Sequence, residues 1–371
     1  MQGLLYKCLL LIIMQKTNIS SNNSPKISII VPVYNGMKYF PLNIDSAISD
    51  NPNIVTIIVD DGSTDGSSTY LDNCYANNRN VNVYHKNNGG IVSARNYGLA
   101  RATGDYLFFL DQDDHFSPEV LNIAARKCCD FGCDIAFFTT KTESDGITSY
   151  CDKIKKDAIV GQDEIKETII PSVALKTEND YAVSMCHLWG AVFRRSVIKD
   201  SGIIFKNFVG YEDDYLFLID ALLESKKICF VTRTGYYWTR DHYSTSFSLK
   251  YVSDIWDKFI ALYSYVFSKC SQYNVSLPEE MKTFVYQSIS IHSLENCASI
   301  INPNIKEDMK IIRMKLRSKD VQLAFQKDSV RNYSGRSRRL FTLLSKKKYF
   351  TAECYSYIDS IYQYLKYKLK R

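Results

Sequence analysis

Short apolar runs and stretches of helical spacing follow one another along the first third of the chain. Ile27-Ser28-Ile29-Ile30-Val31-Pro32-Val33-Tyr34-Asn35 reads as a buried strand running into a loop, after the Ser/Asn-rich residues 18–24. Residues 54–59, 81–85 and 106–110 are further apolar runs, too short for helices of ordinary length, and predict a second, third and fourth strand. Between them, residues 37–49, 70–76 and 91–102 have helical spacing, the last opened by Gly89-Gly90. Residues 118–129 predict another helix and 134–138 another strand. Strands alternating with helices in this way predict an α/β fold with a mostly parallel central sheet and helices on both faces.

Residues 140–185 are polar and give no clear period. Trp189-Gly190-Ala191-Val192-Phe193-Arg194-Arg195 reads as a strand, 215–223 as a helix, and 228–231 and 236–238 as two short strands. From about Ser253 the spacing is helical, with few glycines and no strand signal. The expected organisation is a disordered or mis-started segment over 1–25, an α/β domain over 26–250, and a helical region over 251–371 that ends in a basic amphipathic tail.

Composition changes this picture in three places. The 371 residues are 46% hydrophobic and 23% charged, as in ordinary globular chains, with 27 Tyr and 19 Phe to build a core. Eleven cysteines include no C-x-x-C pair, and Cys128, Cys129 and Cys133 lack histidines at zinc spacing, so they read as core thiols in a reducing compartment. The net charge of +6 is uneven: residues 331–371 carry eleven Lys and Arg against two acids, a net of +9, which leaves −3 on the rest. A nucleic-acid binder should carry its charge along a binding face; an acidic body with a basic tail suits an enzyme held at an anionic membrane surface. In that tail Tyr355, Ile358, Ile361, Tyr362, Leu365 and Leu369 share one helical face, with Lys366 and Lys370 beside it. The face is that of an interfacial helix or of an ordinary packing helix. Residues 4–14 are apolar apart from Lys7. They are too short for the ~20 residues of a spanning helix, and read as a signal peptide without a clear cleavage site or as a start artefact ahead of Met14.

Polar clusters follow Val33, Val59 and Leu110. The ends of parallel strands share one rim, so these clusters should converge there. The third cluster, Asp111-Gln112-Asp113-Asp114, crowds three carboxylates into four residues. Such groups repel unless a cation sits among them, and a D-x-D past a strand end suits a hard divalent ion that also touches phosphate oxygens. Taken alone, the triplet reads more readily as a solvated acidic turn. Glu212-Asp213-Asp214 precedes a helix, where acids also favour the positive end of the helix dipole. No G-x-G-x-x-G follows the first strand and no P-loop occurs, which excludes the usual dehydrogenase and P-loop readings.

Four ordered motifs then carry a resemblance. Ile29-Ile30-Val31-Pro32-Val33-Tyr34-Asn35, Val59-Asp60-Asp61-Gly62-Ser63-Thr64-Asp65, Ser93-Ala94-Arg95-Asn96 and Leu110-Asp111-Gln112-Asp113-Asp114 together resemble the family 2 glycosyltransferases of the bacterial surface-polysaccharide type. Glu212-Asp213 and the stretch from Arg240 to Ser244 look like the family's later motifs, so the resemblance spans about residues 26–246. It implies a GT-A fold and an inverting, metal-dependent transfer from a nucleoside-diphosphate sugar, expected to be a UDP-sugar. The acceptor would be a hydroxyl of a glycan or lipid-linked glycan. The setting would be the cytoplasm or the inner face of its membrane.

The resemblance also implies roles. Pro32, Tyr34, Asn35, Asp60, Arg95, Asp111, Arg240 and Ser244 would contact the donor. Tyr34 would stack on the base, and Asp60 would accept a hydrogen bond from a uracil N–H. Asp61 and Ser63 would fix the loop. Asp113 would hold Mn2+ or Mg2+ between the phosphates; His242 would join it or serve as a polar loop residue. Arg240 suits bidentate phosphate contact. Asp114 would be structural. Asp213 would be the base, with Glu212 orienting it or binding acceptor. The extra acid at Asp214, and Leu216 where an aromatic is common, leave Asp213 and Asp214 both open as the base. Trp189 would line the acceptor side or sit in the core. Two rivals remain on the same fold. A nucleotidyltransferase would need a basic, glycine-rich triphosphate loop near the first strand, which is missing. A non-catalytic nucleotide-sugar or glycan-binding module would be told apart by a donor-hydrolysis assay. The residues that choose the sugar are expected within 140–210.

Overall fold

A computed structural model describes residues 24–369 apart from 41, 145–146, 183–186, 211, 240–250 and 329–334. Four strands, β1 (Ile27–Val33), β2 (Ile54–Asp60), β3 (Val81–His85) and β4 (Tyr106–Phe109), pair in parallel in the order β3-β2-β1-β4. Side chains alternate across a strand, and β1, β2 and β4 are buried on both sides, whereas the edge strand β3 exposes Asn82 and His85. Ile30, Leu107 and Phe109 enter one buried cluster, and Ile29, Val31 and Phe108 enter another on the opposite face. That is why these runs read as continuous rather than alternating.

Beyond β4 the sheet becomes mixed. The remaining strands are β5 (His115–Phe116), β6 (Ile135–Ser144), β7 (Ile147–Tyr150), β8 (Ala158–Gly161), β9 (Ala191–Arg194) and β10 (Lys227–Thr239). β9 inserts antiparallel between β4 and β6, and β10 runs parallel to β6. The two short strands expected at 228–231 and 236–238 are one strand, β10, with register shifts around Thr234. The polar Thr232-Arg233-Thr234 interrupts the apolar pattern without ending the pairing.

The helices of the α/β part are α1 (Leu42–Ser46), α2 (Ser67–Tyr75), α3 (Ile91–Leu99), α4 (Pro118–Phe131), α5 (Ile170–Leu175), α6 (Arg195–Asp200) and α7 (Asp213–Glu224). The helix expected over 37–49 is a 3-10 turn at Met37–Tyr39 followed by α1. Pro41 falls in the middle of that pattern, and proline disfavours helix at the residue before it. α4 starts as its sequence suggests: Ser117 Oγ accepts from Val120 N at 3.3 Å and Pro118 takes the first helical position. α3 lies close on β1, since a Cβ at Gly98 would stand 2.6 Å from Ile30 Cγ2.

The C-terminal region is helical, as expected: α8 (Ile255–Gln272), α9 (Glu280–Cys297), α10 (Ile305–Leu316), α11 (Lys319–Ala324), α12 (Gly335–Ser345) and α13 (Tyr349–Leu369). One apolar cluster runs from Ile30 through Phe217 to Phe259, Phe284 and Leu340, so these helices share the core of the sheet face they cover. α13 packs through Ala352, Glu353, Ser356 and Ser360, all buried. Its apolar stripe points elsewhere: Ile358, Tyr362 and Leu365 are 64%, 60% and 51% exposed.

Candidate active site

The loops after β1, β2 and β4 meet at one rim, tied mostly by side chains holding neighbouring backbone. Asn35, at φ 48°, donates its N–H to Ser63 Oγ at 2.9 Å and accepts from Thr64 N at 2.8 Å. Gly36 N reaches Ser67 Oγ at 2.9 Å, and Met37 N reaches Asp65 Oδ2 at 2.9 Å. Gln112 closes the ring: its Oε1 accepts from Tyr34 N at 3.0 Å and its Nε2 donates to Tyr34 O at 3.1 Å. A Cβ at Gly36 would lie 2.5 Å from that Oε1, so no larger residue fits there without displacing Gln112. These bonds leave the Tyr34 ring standing out at 46% exposure, ready for a flat partner.

Two expected donor contacts are engaged within the fold. Pro32 is buried inside β1, in register with Val59, so its ring fills the sheet and does not face a ligand. Asp60 is 1% exposed and already engaged, accepting from Ser63 N at 3.0 Å and Ser68 Oγ at 2.6 Å and pairing with His85 Nδ1 at 2.8 Å. Burial works to raise its pKa, but the bonds from His85, Ser63 and Ser68 outweigh it and hold the carboxyl below its usual range. Asp60 therefore fixes its loop, and it also lines the cavity beside that loop. The same bond raises the His85 pKa, against burial and with help from Asp72. Asp61 is equally built in, accepting from Gly89 N at 3.0 Å, Gly90 N at 2.7 Å and Lys86 Nζ. A cavity of about 370 Å3 opens beside these residues, lined by Asp60, Asp72, His85 and Lys86 among others; Tyr34 is not part of it.

At the end of β4, Asp111 N donates to the Tyr236 hydroxyl at 3.3 Å, and that hydroxyl donates to Asp114 Oδ2 at 2.6 Å. Thr239 N adds a bond to Asp114 Oδ1 at 2.8 Å. Asp114 is thus the buried, structural acid of the three, as expected from sequence. Burial, with Asp113 and Asp111 nearby, pushes its carboxyl well above the usual range. Asp113 is part-exposed. An all-oxygen donor set at a strand end fits a hard divalent cation bound by one or two carboxylates and completed by phosphate.

Arg95 joins the two halves of the rim. It is 3% exposed, with Nη2 on Asp111 Oδ1 at 2.8 Å and Nη1 on Asp213 Oδ2 at 2.6 Å and Asp214 Oδ1 at 2.5 Å. The expected donor-facing cation is instead a buried tie between a donor-side aspartate and the two candidate bases. Burial opposes its charge, and the three carboxylates more than offset that, raising its pKa. Neighbouring Asn96 holds the backbone of Phe205 through both its amide atoms, at 2.8 and 3.0 Å, which brings the 201–210 loop in under α7.

Asp213 and Asp214 occupy the first turn of α7, and Glu212 sits at its N-cap with φ 68°. Lys176 clamps Glu212 through both carboxylate oxygens, at 2.6 and 2.5 Å, and itself has φ 54°. Two residues with positive φ therefore hold each other beside the start of α7, a feature that clusters at functional sites. Asp214 has its pKa pushed up to about 7, by burial first and by Asp213 and Asp111, against Arg95 and His187. Trp189 is 5% exposed, stacked between His187 and Tyr236 at centroid distances of 4.4 and 4.8 Å, so it belongs to the wall and not to an open surface. Arg240, His242 and Ser244 lie outside the described residues. The sequence reading missed Lys176, Tyr236 and His187. No motif surrounds Lys176 or His187, and Tyr236 was legible only as part of a strand.

Residues 28–202 match the model of the family described as Glycosyl transferase family 2. The chain is 29% identical over 233 residues to the poly(ribitol-phosphate) beta-N-acetylglucosaminyltransferase TarS of Staphylococcus aureus strain Mu50, covering 62% of this chain and 38% of TarS. It is 26% identical over 208 residues to the uncharacterized glycosyltransferase EpsJ of Bacillus subtilis strain 168, covering 55% of this chain and 58% of EpsJ. Both relatives are therefore substantially longer than the part matched. Among solved structures, S. aureus TarS 1–349 in complex with UDP-GlcNAc superposes with a TM-score of 0.59 at 21% identity, over 88% of this chain and 90% of that one. That likeness carries the fold.

Proposed function

Residues 28–202 form a family 2 glycosyltransferase domain, and from that premise we propose that the protein transfers a sugar, with inversion, from a UDP-sugar to a hydroxyl of a glycan or lipid-linked glycan. The observation that carries the proposal is the Arg95 tie, which brings the acid after β4 and the acids of α7 to one point. The TarS complex with UDP-GlcNAc supports a nucleotide-sugar donor. The transferase unit is taken as residues 26–250.

In this reading Tyr34 stacks on the base, while Asn35, Asp60 and Asp61 hold the loops that present it. Asp111 and Asp113 face the diphosphate, with Mg2+ or Mn2+ supplying neutralisation of the leaving nucleoside diphosphate when bound. Arg240 and Ser244 contact the diphosphate and His242 is the second metal ligand. Asp213 takes the acceptor proton as the hydroxyl attacks C1 on the face opposite the leaving group. Its Oδ2 rests on Arg95, which leaves Oδ1 for the acceptor. Glu212, held by Lys176, orients the start of α7. Asp214, with a pKa near the working range, is the competing base.

We place the enzyme in the cytoplasm, with the inner face of the cytoplasmic membrane as the surface its tail would meet. The +9 charge of residues 331–371 and the exposed stripe of Ile358, Tyr362 and Leu365 support this. Among the described residues no helix is long and apolar enough to cross a membrane. Sedimentation with anionic vesicles at low salt tests the placement: binding should fade as salt rises and drop when Ile358 and Tyr362 are both changed to Ser. For the reaction, nucleotide sugars are screened for thermal stabilisation with Mn2+ and then for transfer. A UDP-sugar should stabilise the protein and turn over; turnover of no nucleotide sugar, with binding retained, would move the protein to the binding-module reading.

A further inference from the structure

We infer that Cys151, Asp152 and His187 form a second metal site, of the zinc type, apart from the carboxylates that follow β4. The three ligand atoms lie within 4.8 Å of one another. His187 Nδ1 is 3.1 Å from Asp152 Oδ2 and 3.9 Å from Cys151 Sγ. A tetrahedral zinc with bonds of about 2.3 Å to sulfur and 2.0–2.2 Å to nitrogen and oxygen places its ligand atoms roughly 3.3–3.6 Å apart. The two spacings from His187 bracket that range and the third pair lies within 4.8 Å, so side-chain rotations can close the site.

The ligands come from well-anchored backbone. Cys151 and Asp152 follow β7 and are stitched to β6, where Thr140 exchanges backbone bonds with both and Thr140 Oγ1 accepts from Asp152 N at 2.8 Å. His187 arrives from the other side, 35 positions away, its ring stacked on Trp189.

A second observation points to a ligand. Asp152 is 4% exposed, and its Oδ1 is buried with no hydrogen-bond partner among the described residues. A buried carboxylate with one oxygen unsatisfied is costly, and such an atom in a folded protein calls for a water or an ion. The hydrogen bond of Oδ2 to His187 leaves Oδ1 unanswered; a cation that takes Oδ1, alone or together with Oδ2, would answer it. The donor chemistry selects the ion. A thiolate and an imidazole favour zinc over Mg2+, Ca2+ or Mn2+, while three protein ligands leave a fourth position for water or another donor.

The site fixes the wall of the active site. His187 stacks on Trp189, Trp189 stacks on Tyr236, and the Tyr236 hydroxyl sits between Asp111 N and Asp114. A zinc ion at His187 pins the far end of this column, which makes His187 a positioning residue.

The test uses the full chain, purified under reducing conditions without chelator. Elemental analysis should find stoichiometric zinc, and replacement by Co2+ should give the near-ultraviolet thiolate-to-cobalt absorption. Cys151→Ser should lose that absorption, while Asp113→Asn should keep it, which separates this site from the transferase metal whatever the fate of the transferase reading. Zinc should also raise the melting temperature of the wild type and not that of Cys151→Ser. Absence of both bound zinc and a cobalt–thiolate band in the wild type overturns the proposal without reference to any variant. A band that survives Cys151→Ser overturns it as well.

Discussion

On the side of the rim after β1 and β2, short polar side chains hold backbone atoms close by in the fold: Asn35 with Ser63 and Thr64, Asp65 with Met37, Asp61 with Gly89 and Gly90. On the α7 side the ties are between buried charges far apart in sequence. Arg95 and Asp213 are separated by 118 positions, Lys176 and Glu212 by 36. The first kind of construction spreads the load over many bonds of about 0.5–1.5 kcal/mol each. The second concentrates it, since removing one partner leaves a buried charge uncompensated. The hydrogen-bonded framework after β1 and β2 should therefore tolerate single substitutions, apart from the Lys86–Asp61 pair, and the α7 side should not.

The largest effect sought lies at the carboxylates after β4, where the proposed metal would bind. Asp113→Asn should lower transfer by orders of magnitude. A part-exposed carboxamide should change stability by less than about 0.5 kcal/mol. Transfer rates with Mn2+ and with EDTA check this; full activity in EDTA contradicts it. Next, Arg95→Leu strands three carboxylates and should cost about 3–5 kcal/mol in denaturant unfolding. Ser63→Ala, on the donor side, should cost about 0.5–1.5 kcal/mol. Equal costs would erase the contrast. Lys176→Met frees Glu212, and a shift of the α7 start should slow transfer by up to about 10²-fold with donor affinity nearly unchanged. Steady-state kinetics beside calorimetry would show whether the loss is in transfer alone.

The smallest effect concerns pH. Pairing with Asp60 raises the pKa of His85 from its ordinary 6.5. That pairing stabilises the fold fully below 6.5 and fades as pH rises through the raised value. His85 is 39% exposed on its side chain, so the contribution should stay under about 1 kcal/mol. Melting curves of His85→Asn should lack the slope that the wild type shows above neutrality.

The same contrast explains what could be read from sequence. β1, β2 and β4 were legible because strands buried on both faces leave nearly continuous apolar runs followed by polar clusters, while β3 was a short run of Val81, Val83 and Tyr84. The direction of β9 was not legible, since a four-residue apolar run has no polarity. The single β10 was hidden by Thr232-Arg233-Thr234. The bonds of Asp60 to Ser63, Ser68 and His85 could not be read from sequence, because a carboxylate at a strand end looks the same whether it is open or engaged. Arg95 was placed on the donor for a related reason: its partners at 213 and 214 are brought to it by the fold, and nothing near residue 95 announces them. The tail's expected apolar stripe divides, Tyr355 packing on the core while Ile358, Tyr362 and Leu365 stay exposed, and α13 packs mainly through Ala352, Ser356 and Ser360, small residues that periodicity undervalues.

The central claim is that donor binding and proton removal belong to different sides of one rim, joined by Arg95. The direct measurement is nucleotide-sugar binding by calorimetry set beside transfer to acceptor, made on Asp213→Asn and on Asp214→Asn. The account predicts near-normal donor affinity for Asp213→Asn with transfer reduced about 10²–10⁴-fold, the usual cost of losing a general base. Loss of donor binding together with transfer in Asp213→Asn would contradict the division. Transfer that survives in Asp213→Asn but vanishes in Asp214→Asn would keep the division and move the base by one residue.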